Sequence, residues 1–186
     1  MAISKIGSNA VSLTSGLDIS DGDITLASGH GISFAATSNA APTGGGVDNQ
    51  AEILTDYEKG TWTPVDASGA SITYAQKQGS YVKIGDQETS YVYLNYPSSV
   101  TNTGAIQVIG LPFTTASAGD DSSGTSARGG GMIGFQDFTT AAMHVNVIRA
   151  AQQIEFFTGA GANVINSAMS SSKTIMCAFT YHTGIA

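Results

Sequence analysis

With 186 residues, the chain has room for one ordinary domain plus an appendage, and its 14 acidic and 7 basic side chains give a formal net charge of −7. So acidic a chain has no electrostatic footprint for nucleic acid or an anionic membrane. Charged residues make up only 11% while glycine numbers 23, which excludes a typical helical protein and a charged disordered one and suits an all-β protein with a surface of hydroxyls and amides.

Residues 1–46 read as an N-terminal arm or stem. Its apolar members are Leu13, Leu17, Ile19, Ile24, Leu26, Ile32 and Phe34, mostly in alternating pairs, with Gly16, Gly22 and Gly29 between the pairs. Alternation predicts short strands with one apolar face, and the glycines supply turns. Rungs with two or three inward residues are too short to stand alone. They stack on one another or on other chains, most simply as a trimeric intertwined stem, or else as an extended arm lying on a neighbouring protein. These seven apolar residues are therefore the candidate oligomer or partner interface. Ala40–Gly46 is a small-residue linker.

Residues 47–60 read as a short helix and hinge. Asn49 and Glu52 form a candidate capping box, Ile53, Leu54 and Tyr57 an apolar stripe, and Gly60 a stop. Tyr57 and Trp62, the only Trp, mark the junction between this hinge and the β region. Trp62 is expected to plug the core, since a large aromatic is more often packed than presented.

From Thr61 to Ala186 the pattern is β. Ile72–Lys77 alternates. Ser80–Ile84 and Gln87–Tyr96 are predicted strands of a hairpin turning at Gly85-Asp86. In the second strand Val92, Leu94 and Tyr96 share one face and Tyr91, Tyr93 and Asn95 the other. Further strands are predicted at Ala105–Ile109, Met132–Phe135, Met143–Ile148, Ile154–Phe157 and Ile175–Tyr181. A loop over Thr114–Gly131 carries Asp120, Asp121 and Arg128 at an exposed tip. About eight or nine strands with almost no helical signal predict a β-sandwich, with a jelly roll as the leading topology.

The stretches DYEKGTWTP, ITYAQKQGSYVKIGDQ and IQVIGLPFT occur in that order. Together they resemble a recurring module of tailed-phage virion proteins, whose marks fall here at Tyr57–Pro64, Tyr81–Gly85 and Gly110–Phe113. The upstream GDITLASGHGISF is similar to the segment that often precedes the module. The resemblance covers about residues 13–115; from Ala116 onward the chain matches nothing nameable. It implies a structural protein of the virion surface, a head decoration or a tail fibre, and not an enzyme. The expected form is a capsid decoration or cement protein that binds the major capsid protein as a homotrimer through its N-terminal arm. The alternative is a short tail fibre contacting host surface glycans. Only about 11 residues precede the first rung, short for a tail-docking domain, which favours the decoration. No secretory signal or membrane span is legible, so assembly in the host cytoplasm into virions is expected.

No catalytic, cofactor or metal site emerges from the residues. Asp18–Asp23 lacks the spacing of a calcium loop and reads as a turn. His30, His144 and His182 have no second ligand at metal spacing. Cys177, the only cysteine, excludes an intrachain disulfide and reads as a small core residue. A glycosidase would need paired carboxylates, and only Glu52, Glu58, Glu88 and Glu155 are present as glutamates. Tyr91 and Tyr93, with Tyr74, Tyr81 and Tyr96, suit subunit or core packing better than sugar stacking. Tyr91, Tyr93, Asp120, Asp121 and Arg128 are the candidate surface contacts.

Overall fold

The computed structural model describes residues 32–33, 53–54, 56–116, 129–139 and 142–183. Among them, β1 (Ile32–Ser33) pairs antiparallel with β2 (Ile53–Leu54). The other nine strands are β3 (Tyr57–Trp62), β4 (Val65–Asp66), β5 (Gln76–Ile84), β6 (Gln87–Asn95), β7 (Gln107–Ile109), β8 (Gly129–Gln136), β9 (Ala142–Val147), β10 (Gln153–Thr158) and β11 (Thr174–His182). They form one antiparallel sheet in the order β3-β5-β6-β11-β8-β9-β10-β7-β4. Among the described residues the only helical element is a single 3-10 turn, Asn166–Met169.

The sheet curls. Its two edge strands, β3 and β4, are separated in the chain only by Thr63 and Pro64. Pro64 has no N–H to give to a ladder, so the strand leaves β5 at Trp62 and takes up β7 at Val65. Gly110, at φ 106°, lets the end of β7 approach the Thr63 carbonyl, where a Cβ would come within 2.5 Å of the oxygen.

Period-two alternation fills the concave face. In β6, Glu88, Ser90, Val92 and Leu94 are buried, while Tyr91 is exposed. In β11, Ile175, Cys177, Phe179 and Tyr181 are buried, while Met176 is exposed. Val145 and Val147 from β9, and Ile154 and Phe156 from β10, complete the middle of the core. The long β5–β6 hairpin turns at Gly85-Asp86 as expected, with Gly85 at φ 59°.

Most of the described part of the expected helix over 47–60 is strand instead: Ile53–Leu54 and Tyr57–Gly60 belong to β2 and β3, with Asp56 outside both. Residues 47–52 and 55 lie outside the described residues. A capping box is a local preference of about 1 kcal/mol. A six-residue ladder to Gly79–Ile84, with Trp62 buried at its end, outweighs it, as tertiary packing commonly does for short helices. The strand expected from Ile72 begins only at Gln76. Before it, the Asp66 carboxylate accepts from the Ile72 N–H at 2.9 Å and the Ser68 hydroxyl at 2.6 Å, and Ser71 has φ 54°. These contacts hold residues 67–72 as a loop on the end of β4. At the other end of the long loop, Gly129–Gly131 belong to β8.

Candidate functional site

The three motif blocks, distant in sequence, meet in space. Trp62 ends β3 and lies over Gly79 of β5, where any Cβ would overlap the indole. Phe113 packs edge-on against Tyr81, with ring centroids 5.5 Å apart. The Lys83 ammonium sits 5.3 Å from the centroid of the same Phe113 ring. Trp62 from the first block, Tyr81 and Lys83 from the second and Phe113 from the third thus form one packed unit.

Beside this unit lies a polar row that runs from exposed Glu58 inward to buried Glu88. Cross-strand register aligns Glu58, Lys83, Glu88 and Tyr181 on β3, β5, β6 and β11. Glu88 is fully buried. The hydroxyls of Ser90 and Tyr181 donate to its carboxylate, and the Tyr181 oxygen is also 3.1 Å from the Phe113 carbonyl oxygen. Tyr81 donates to Glu58, and Lys83 donates to Asp56. Burial raises the Glu88 carboxyl above its ordinary 4.5, while Ser90, Tyr181 and Lys83 pull it down and Glu58 adds to the rise. The hydrogen bond to Glu58, chiefly, pushes the Tyr81 hydroxyl up to about 12. Glu88 has no solvent access, so its carboxylate serves the fold's own hydroxyls.

This row predicts a pH dependence. A carboxyl whose folded value is raised binds its proton more tightly when folded. Its contribution therefore favours the fold most at and below pH 4.5, and is lost as pH rises through the raised folded value. Replacing Glu88 by Gln should flatten the fall in melting temperature across that window. A pH series of thermal melts on both proteins checks this, and identical slopes would exclude Glu88 as the source.

The convex face carries a different chemistry. Register puts Tyr91 and Tyr93 of β6 beside Ala178 and Met176 of β11, and those beside Met132 and Phe135 of β8. The β8 pairing shifts between Met176 and Cys177, leaving Gly134 as an extra residue. Strict alternation would point Met132 and Phe135 to opposite faces. The bulge turns both outward, and they are 76% and 50% exposed. Tyr91 is 52% exposed. The result is a groove of about 470 Å³ lined by Gln78, Ser80, Tyr91, Tyr93, Phe135 and Met176, among others. Its floor includes Ala178 and Gly134, and none of its lining side chains is charged.

The residues singled out in the sequence fall in several places. Tyr57 starts β3 and is exposed, whereas Trp62 is buried in the core. The structure brings Tyr91 and Tyr93 together in the groove. Leu13, Leu17, Ile19, Ile24, Leu26, Phe34, Asp120, Asp121 and Arg128 lie outside the described residues, and only the backbone of Ile32 is described, in β1. Cys177 is buried and its thiol is pushed up to about 12 by desolvation, while His182 on the same strand is exposed. Among the described residues no group of three His, Cys, Asp or Glu could hold a metal. Sequence reasoning missed Glu88 and Ser90, although the parity of Val92, Leu94 and Tyr96, carried two steps back, places both inward. It also missed Phe135, whose alternation points the wrong way until the bulge is known.

No family model, curated protein or solved structure matches the chain.

Proposed function

We propose that this chain is a non-enzymatic structural protein of a phage virion, a capsid decoration that binds the head surface as a homotrimer through residues 1–46. One observation carries the reading. The blocks that resemble the virion module converge on one packed unit of Trp62, Tyr81, Lys83 and Phe113, so the resemblance rests on residues that form a common structure rather than on scattered strings. The low charge and hydroxyl-rich composition support it as well, because many weak, uncharged contacts multiplied over a shell bind by avidity. In the same reading, the curled sheet is a jelly-roll-like sandwich, with β3 and β4 as one strand passing between its two halves at Pro64.

Gold-labelled antibody on intact particles tests the proposal, with label expected over the head. Deleting residues 1–46 should leave a folded β domain that no longer joins the particle. Label confined to the tail would make the protein a fibre, and normal incorporation of the truncated chain would remove the arm as the anchor.

A further inference from the structure

The groove on the convex face remains unused by the fold. Its walls are Tyr91 and Tyr93 on one side and Phe135 on the other, standing on the two strands that flank β11. Flanking strands are two spacings apart, about 9.6 Å, which leaves room for a single-file chain over Ala178. The floor is low at Ala178, which presents almost no side chain beside Tyr91, and Met176 closes the groove's end between Tyr93 and Phe135. Gln78 and Ser80, in register with Tyr93 and Tyr91, place an amide and a hydroxyl along one rim. Tyr93 donates to Gln76 Oε1 at 3.3 Å, which steadies its ring.

The chemistry narrows the occupant. An extended peptide binds a sheet by adding to its edge through main-chain hydrogen bonds. Here β11 is paired on both sides, so its backbone has nothing to offer a peptide. The patch spans about three strand spacings by four residues, roughly 200 Å², against about 800 Å² per partner in a standard protein interface. An anionic ligand meets no cation in the groove and a chain of net charge −7. Tyrosine and phenylalanine faces with an amide and a hydroxyl along the rim suit a neutral ligand with flat apolar C–H faces and hydroxyls at its edges. We propose that this groove is a binding site for a neutral saccharide chain, with Tyr91 and Phe135 stacking on sugar faces and Gln78 and Ser80 hydrogen-bonding the hydroxyls. The bulge at Gly134 supports the assignment, since bulges re-aim side chains next to functional sites and this one turns Phe135 into the slot.

The test titrates the full chain with maltohexaose and chitohexaose, using hexagalacturonate as the anionic counterpart, followed by saturation-transfer NMR and calorimetry. At least one neutral hexasaccharide is expected to bind and the anionic one not. Tyr91→Ala should raise the Kd about five- to tenfold with the melting temperature unchanged, since Tyr91 is half exposed. Tyr57→Ala, an exposed aromatic outside the groove, should leave the Kd unchanged. Absence of binding by both neutral probes at about 10 mM would overturn the proposal. So would binding insensitive to Tyr91→Ala, or a concentration-dependent dimer in sedimentation that Tyr91→Ala dissolves, which would make the face an interface between copies. Saccharide binding is read on the isolated protein, and incorporation into particles on the virion, so either reading can fail without the other.

Discussion

Replacing Trp62 by Ala is expected to cost about 3–5 kcal/mol of folding stability and to lower the melting temperature by roughly 10 °C or more. The indole is 7% exposed and belongs to the same core as Tyr74, Tyr81 and Leu94. It sits at the last rung of β3, just before Pro64 passes the chain from β5 to β7. Emptying this position removes the ring that lies over Gly79. The backbone there cannot collapse into the void, because β3 and β4 are pinned by different partner strands. Trp62→Phe should recover part of the loss by refilling some of the volume. Denaturant unfolding of the three proteins gives the comparison, and an unchanged midpoint for Trp62→Ala would show that the ring contributes nothing to the core.

Gly131→Ala is the second large effect, expected at about 3 kcal/mol or more, the upper end for overpacking. A Cβ on Gly131 would overlap the Ala178 carbonyl oxygen and stand 2.6 Å from the Phe179 Cα. These are backbone atoms of the central strand, held on their other side by β6, so they cannot yield as a flexible side chain would. Gly134→Ala is the control on the same strand. Its Cβ would have only the Met176 carbonyl oxygen nearby, at 3.7 Å, an ordinary contact, and a cost within about 0.5 kcal/mol is expected. Thermal melts of the two variants decide the matter. Equal losses would mean that the close approach of β8 to β11 is not what requires glycine at 131.

The close approach of β8 to β11 fills the space beside its glycines: a Cβ at 129 or 131 would overlap the carbonyl oxygen of Thr180 or Ala178 and crowd the Cα and Cβ of Tyr181 or Phe179, so β8 has glycine there. The Gly-rich stretch that reads as the end of a loop is therefore a strand. Glycine is a loop signal only when nothing else explains its lack of a side chain, and here the neighbouring strand explains it.

Much of the sheet is legible in the residues alone. Strict alternation in Gln87–Asn95 and Thr174–His182 identifies strands and sorts their faces, because period two is a property of the extended backbone itself. The Gly85-Asp86 turn and the interior position of Cys177 follow from equally local rules. Composition by itself points to an all-β chain. Other features depend on partners that the sequence does not name. The segment around Ile53–Gly60 has a helix-like stripe and cap, but Tyr57–Gly60 is strand because β5 offers a complete ladder, and Ile53–Leu54 pairs with β1. Glu88 has the parity of a core residue but the chemistry of a surface one. The hydroxyls of Ser90 and Tyr181, the second from 93 residues away in the chain, and the charge of Lys83 make its burial tolerable. The groove owes its far wall to a one-residue register shift between β8 and β11. A shift of one reverses every face beyond it, and register is a relation between two strands, so it was decided by the tertiary structure.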